Sequence, residues 1–410
     1  MSSYNKIPYD AAPISREGGG MQRQNVVRNK FSHNLFIAAI FIFNIIISVL
    51  FIHYINNNSS KEIINLNTTI YAEATVSAEA SSKAKLSSVC IAAGGMDNDR
   101  ESFSFSNKPD YNEFFTMTNQ GAGVIFDVNK LTGEAYILTC NHVVSSYSNA
   151  VFVVLYDSYV PIYATVIGKS TKNDIAVLKI SSEVVSQSLC SAATIADSSL
   201  ITEGEPAIAV GNPLRGGFAV TSGTISNTSV FVKISGLNLR TIQVDTAINR
   251  GNSGGGLYNK NGDLIGIVQS KKESVQVDNM ANALHINGVI SIANNLIENR
   301  QLQYADLGIT FQKGIQAEIQ QIDGIKYKFD QIYVQDVVEG SDAENLLLPR
   351  DRIIAFTYNG KTVQVVNAYS FSEIKFDFKY GDTIKFTIIR DGSVLEETVE
   401  VTVSQLKSDN

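Results

Sequence analysis

Between Val244 and Val268 two strand-like hydrophobic runs are joined by a loop that reads G-N-S-G-G from Gly251 to Gly255. This feature constrains the fold most. A serine between glycines needs flanking strands to hold it, lets the backbone approach a substrate closely, and allows consecutive N–H groups to point at one place because glycine tolerates the dihedrals required. An oxyanion hole needs such a loop. Ser-Gly-Gly also occurs in ordinary turns, so the partners of Ser253 decide between the two readings.

A serine nucleophile is served by a nearby imidazole. Of the four histidines, His33 and His53 flank a long apolar run and His285 lies in ANALHINGVI without a catalytic neighbour in sequence. His142 remains, at the end of the strand-like AYILTC, where a bland reading as a satisfied core histidine competes. A carboxylate must then fix the imidazole tautomer, and Asp174 in NDIAVLKI is the candidate, its alternative being a turn residue before a strand. The chain order His, Asp, Ser is that of the chymotrypsin-type double barrel rather than of subtilisins or α/β-hydrolases.

With these motifs in place the chain resembles the HtrA (DegP/DegS) family of trypsin-like serine proteases from about Ser87 to its C-terminus. The motifs are Gly121-Ala122-Gly123-Val124-Ile125, expected before the first barrel strands, then LTCNHVV, NDIAVLKI, AVGNPL, VTSGTIS and DTAINRGNSGG. The resemblance implies a nucleophile at Ser253, a general base at His142, an orienting Asp174, and an oxyanion hole at Gly251, Asn252 and Ser253, formed by the N–H groups of Gly251 and Ser253. It also puts Ala247 at the base of the primary substrate pocket. There trypsin-like enzymes that choose Lys or Arg carry Asp, so small or medium aliphatic residues are expected before the cut. Departures are Asn141 where Ala is frequent, Gly256 where Pro is frequent, and NALHIN after the last barrel strand.

At 410 residues the chain has room for two or three folded units. A net charge of -7 argues against a nucleic-acid partner, which would want a basic face. Three cysteines, Cys90, Cys140 and Cys190, cannot all pair, which excludes a disulfide-rich scaffold. Cys140, two residues before His142, reads as a small buried residue in preference to a thiol nucleophile. No His/Cys spacing resembles a zinc site, so neither metal nor cofactor is expected.

The uncharged apolar run from Leu35 to Ile52 is long enough to span a bilayer, since about 20 apolar residues cover the core. It is longer than the apolar region of a cleaved signal and ends in HYINNNSS without a small-x-small site. Lys6, Arg16, Arg23, Arg28 and Lys30 precede it against Asp10 and Glu17, while only Lys61 and Glu62 follow closely. The positive-inside rule then puts the N-terminus in the cytoplasm and the enzyme outside, in the cell membrane by a single pass.

The expected layout is a disordered cytoplasmic tail over 1–34, a transmembrane helix over 35–55, a stalk over 56–85, a mostly β, chymotrypsin-like double β-barrel over 86–300 and a PDZ domain over 303–410. For the last, strand-like runs are punctuated by turn signals such as Tyr358-Asn359-Gly360 and Arg390-Asp391-Gly392. Leu307-Gly308-Ile309 resembles the loop whose amides receive a peptide carboxylate, and about Ala368 to Phe376 would line the groove. LLLPRD departs from the usual Gly-Asp turn there. Polypeptide substrates, C-terminal peptides at the PDZ domain and a homotrimer or larger assembly are implied by the same resemblance. The polar, aromatic segment from Met96 to Asn119 resembles the mobile loop that regulates access in such enzymes. The competing reading is a non-catalytic chaperone or scaffold that holds unfolded chains.

Overall fold

A computed structural model describes residues 78–408 apart from 97–102, 105, 213–216, 235–236, 270–279, 323, 391–392 and 394. The expected tail, transmembrane helix and most of the stalk lie outside these residues. Among the described residues no helix is long and apolar enough to cross a membrane.

Helix α1 (Ala78–Leu86) opens the described chain. Strands β1 (Ser88–Met96), β2 (Met117–Asn129), β3 (Glu134–Cys140), β4 (Val151–Leu155), β5 (Ile162–Ser170) and β6 (Ile175–Ser181) close into a barrel in the order β1-β2-β3-β6-β5-β4. Short helices α2 (Tyr111–Phe114), α3 (Asn141–Val144) and α4 (Glu183–Gln187) sit in its connections. A second barrel closes in the order β10-β11-β12-β9-β8-β7 from β7 (Pro206–Gly211), β8 (Ala219–Ile234), β9 (Leu237–Val244), β10 (Gly256–Asn259), β11 (Leu264–Gln269) and β12 (Ala281–His285). Closure leaves no free sheet edge.

Runs such as VFVVL in β4 and LIGIVQ in β11 are buried along their whole length, which explains why they lack polar alternation. Helix α5 (Ile286–Asn299) follows β12 and lays Val289, Ile292, Ala293 and Leu296 on the first barrel's core, at helical spacing.

Two expectations shift. GAGVI lies inside β2 instead of ahead of the barrel, because the Ala- and Gly-rich β1 is the first strand and pairs Cys90 with Ala122. Residues from Ala78 onward belong to the protease unit and not to a stalk. Ala80 and Ala84 are buried in its core, and Ser87 and Ser88 direct their hydroxyls to Tyr258 at 3.0 and 3.2 Å. The described part of the segment before β2 is also anchored. Phe103, Phe114 and Met117 are buried against Cys90, Phe152 and Val154, and Asp110 caps α2 with Glu113 returning the bond.

Beyond α5 the chain forms a separate core. Strands β13 (Gln303–Ala305), β14 (Ile309–Ile322), β15 (Ile325–Val337), β16 (Arg352–Tyr358) and β17 (Lys361–Gln364), helix α6 (Ser370–Ile374), and β18 (Thr383–Ile389), β19 (Glu397–Thr402) and β20 (Leu406–Ser408) follow in order. The sheet runs β14-β15-β16-β18-β19, with β17 paired to β16 through a two-residue turn in which Asn359 and Gly360 both have positive φ.

Candidate active site

The β3–β6 ladder ends with Cys140 opposite Ile175. One step beyond, Cys140 caps α3 and the Asn141 N–H donates to the Asp174 carbonyl at 3.1 Å. This register sets His142 beside Asp174. The Asp174 carboxylate accepts from the His142 backbone N–H at 2.9 Å and meets His142 Nδ1 at 2.7 Å. Asp174 is 2 % exposed and holds φ at 54°, a left-handed conformation uncommon for a residue with a Cβ. A carboxylate can accept only from a protonated Nδ1, so this contact selects the tautomer with its lone pair on Nε2.

The glycine-rich loop reaches the same place from the second barrel. The Ala122 N–H donates to the Ser253 carbonyl at 2.9 Å, and the Gly254 N–H donates to Val268 O at 2.9 Å. Gly254 has φ +84°, and a Cβ there would lie 2.2 Å from Thr139 Oγ1 and 2.4 Å from Ala122 O. Only glycine fits both that dihedral and that approach. Gly251 is likewise in the positive-φ region, at 97°. The Asn252 N–H donates back to Asn249 O at 3.1 Å and is committed within the loop. The His142–Asp174 pair and the backbone of the Ser253 loop thus both lie at the junction of the two barrels.

Cys140 stands behind them, buried, with Sγ 3.5 Å from Val268 O. Burial above all, and then the Asp174 charge, push its thiol well above the ordinary range, so it is a poor nucleophile. The donor atoms of Cys140, His142 and Asp174 lie within 4.8 Å of one another. Sequence spacing alone hides this grouping because Asp174 arrives through the barrel register.

Ala247 differs from its expected setting. It is exposed in the connection between β9 and β10, so its methyl does not floor an enclosed pocket. The neighbouring Asp245 carboxylate is engaged by the Thr224 hydroxyl at 3.0 Å and by its N–H.

In the C-terminal unit Leu307 is buried, Gly308 has φ +71°, and Ile309 starts β14. The Gly308 N–H already donates to Asp306 Oδ1 at 3.2 Å, while Lys407 pairs with the same carboxylate. The Lys407 contact holds the Asp306 carboxyl below its ordinary range. Beside this loop Phe311 of β14 and Phe371 of α6 meet with ring centroids 5.7 Å apart. These two rings meet where the groove between strand and helix is expected.

Helix α6 also touches the barrels. Arg240 of β9 pairs with Glu373 and lies 4.8 Å from the centre of the Tyr369 ring, and Asn295 donates to Phe376 O at 2.6 Å. His285, the last residue of β12, is buried nearby and faces the backbone of Ser198 and Thr228. Burial first, then the Arg240 charge, lower its pKa to about 3.

A trypsin-like peptidase domain matches residues 121–267. The chain is 33 % identical over 374 residues to the serine protease Do-like HtrA of Lactococcus lactis subsp. cremoris, covering 86 % of this chain and 88 % of the relative. It is 32 % identical over 304 residues to the serine protease Do-like HtrA of Bacillus subtilis, covering 72 % and 66 %. Among solved structures, the HtrA-type protease AlgW with a tripeptide aligns with a TM-score of 0.50 and 26 % identity, over 80 % of this chain and 97 % of that one.

Proposed function

The chain belongs to the HtrA family of serine proteases and is a serine endopeptidase; we propose that it is anchored outside the cytoplasmic membrane, cuts exposed or misfolded polypeptides after aliphatic residues, and is controlled through a C-terminal PDZ domain. In this reading Ser253 Oγ attacks the scissile carbonyl while His142 Nε2 takes its proton and returns it to the leaving amine. Asp174 holds Nδ1–H and stabilises the imidazolium. The N–H groups of Gly251 and Ser253 receive the oxyanion, a contribution of about 3–4 kcal/mol per donor in comparable sites. Water then repeats the sequence on the acyl-enzyme.

The observation that carries the reading is the partly buried 2.7 Å contact between His142 and Asp174 at the junction onto which the Ser253 loop docks. The scaffold alternative gives no reason for a carboxylate held in a strained backbone conformation to orient one imidazole.

The proposed aliphatic preference rests on the family resemblance, which sets Ala247 where enzymes that choose Lys or Arg carry Asp, so a cationic side chain would find no acid at that position. The anchor is the Leu35–Ile52 run, with the charge bias setting its direction. The unit over 303–410 is the PDZ domain, receiving free peptide carboxylates at Leu307, Gly308 and Ile309, and the working assembly is a homotrimer or larger. β-Casein digestion by the purified chain and its Ser253→Ala variant, with mass-spectrometric mapping of the cuts, tests the activity and the specificity together. Aliphatic cuts made only by the wild type are expected. Equal digestion by the variant defeats the assignment, and dominant Lys or Arg cuts defeat the pocket reading alone.

A further inference from the structure

We infer that Gln120 and Asn212 are positioning residues for the peptidase step: joined to each other across the two barrels, they fix the spacing of the two N–H groups that receive the oxyanion. The inference rests on the mechanism proposed above for Ser253 and adds to it what holds the oxyanion hole in shape.

Each oxyanion donor belongs to a residue whose own carbonyl is held. The Ser253 carbonyl accepts from the Ala122 N–H at 2.9 Å, and the Gly251 carbonyl accepts from the Asn212 N–H at 3.3 Å. The two clamps come from different barrels, since Ala122 lies in β2 and Asn212 directly follows β7. The end of β7 also closes on the loop at Gly211, where a Cβ would lie 2.6 Å from Asn252 Oδ1. Gly251, at positive φ, has the wide backbone freedom of glycine, so the direction of its N–H depends on what its carbonyl meets.

A side-chain hydrogen bond ties the clamps together. Asn212 Nδ2 donates to Gln120 Oε1 at 3.2 Å, and Gln120 precedes Gly121 and Ala122 on β2. Both amides are locked end for end. The Gly217 N–H can only donate, so it takes Asn212 Oδ1, at 2.9 Å, and leaves Nδ2 for Gln120. The Phe114 carbonyl at the end of α2 can only accept, so it takes Gln120 Nε2, at 2.7 Å, and leaves Oε1 for Asn212. Turning either amide over would set like against like at two contacts. Asn212 is fully buried, which keeps water from competing for these bonds. A donor displaced from its place loses much of its hold on a charge that exists only in the transition state.

Gln120→Met removes both polar ends at similar length, whereas Gln120→Glu keeps an oxygen for Asn212 Nδ2. Rates are normalised to the serines that a fluorophosphonate titrates to completion, so misfolded protein does not count. Gln120→Met should then lower kcat for a short peptide about 10–100-fold at unchanged KM and unchanged pH dependence, and Gln120→Glu should lie between it and the wild type. Binding of a peptidyl trifluoromethyl ketone, which forms an oxyanion on Ser253, should weaken in step with kcat/KM, while the matching alcohol, which forms none, binds as it does to the wild type. A destabilised fold alone would lower the count of titratable serines and leave these ratios at their wild-type values. Should Gln120→Met give no titratable serine, Gln120→Asn, one methylene short of Asn212, is judged by the same criteria. Wild-type kcat in the titrated variant, or ketone and alcohol weakened alike, overturns the positioning role. A wild type whose Ser253 takes no label overturns instead the serine mechanism on which that role rests.

Discussion

The two barrels and the C-terminal unit handle their polar machinery in opposite ways. At the barrel junction the groups are set by ladder registers and by glycines that admit no side chain, so His142, Asp174 and the Ser253 loop have one arrangement. In the C-terminal unit the corresponding groups are held by one another. The Gly308 amide is satisfied by Asp306 and Asp306 by Lys407, while Phe311 and Phe371 meet beside them. The barrel groups stand in place without a ligand, whereas in the proposed PDZ reading a peptide carboxylate would have to release the internal contacts of the C-terminal unit and would lose affinity in proportion to that release.

The barrel half of this contrast breaks most visibly at Asp174. Asp174→Asn should lower kcat for a peptide substrate by about 10⁴, because the amide favours the wrong tautomer, with the far-ultraviolet dichroism unchanged. A loss below tenfold would mean that the carboxylate is only a turn residue. Next in size is Gly254→Ala. A methyl forced against Thr139 and Ala122 at positive φ should cost about 2–4 kcal/mol of unfolding free energy by urea titration and remove activity with it. Wild-type stability would show that the loop is free to shift.

A third test uses pH. The folded pKa of His285, about 3, lies below its ordinary value of 6.5. The group is therefore neutral in the fold, and the stability that this confers is present above pH 6.5 and lost as pH falls toward 3. The wild type should lose about 1.4 kcal/mol per pH unit in that window relative to His285→Asn. Parallel urea midpoints for both proteins at pH 7 and pH 5 would mean that His285 is solvated.

The smallest effect sharpens the other half. Asp306→Asn removes the charge beside the expected carboxylate site, and isothermal titration with a free, apolar C-terminal peptide should show binding tightened a few-fold, about 0.5–1 kcal/mol. Unchanged or weaker binding would place the peptide elsewhere.

What could be read from the chain divides along the same line. His142 and Asp174 were singled out because each stands at a strand end marked by an apolar run, Ser253 because of its glycine-rich loop, and their order points to the double-barrel fold. The first strand and α1 were not. β1 reads SVCIAAGGM and α1 reads AEASSKAKL, small-residue segments whose burial comes from what packs on them. The Asp306–Lys407 pair and the Phe311–Phe371 contact join residues 101 and 60 positions apart, so no local pattern announces them. Ala247 carries a chemical message through the charge it lacks, while its exposure depends on the surrounding loops.

In the proposed mechanism one serine is activated by the His142–Asp174 pair, and peptide mapping after reaction with a fluorophosphonate tests this most directly. A single adduct on Ser253 is expected, formed at least about 10³-fold more slowly in His142→Ala. An adduct on another residue, or equal labelling of Ser253 with His142 removed, would contradict it.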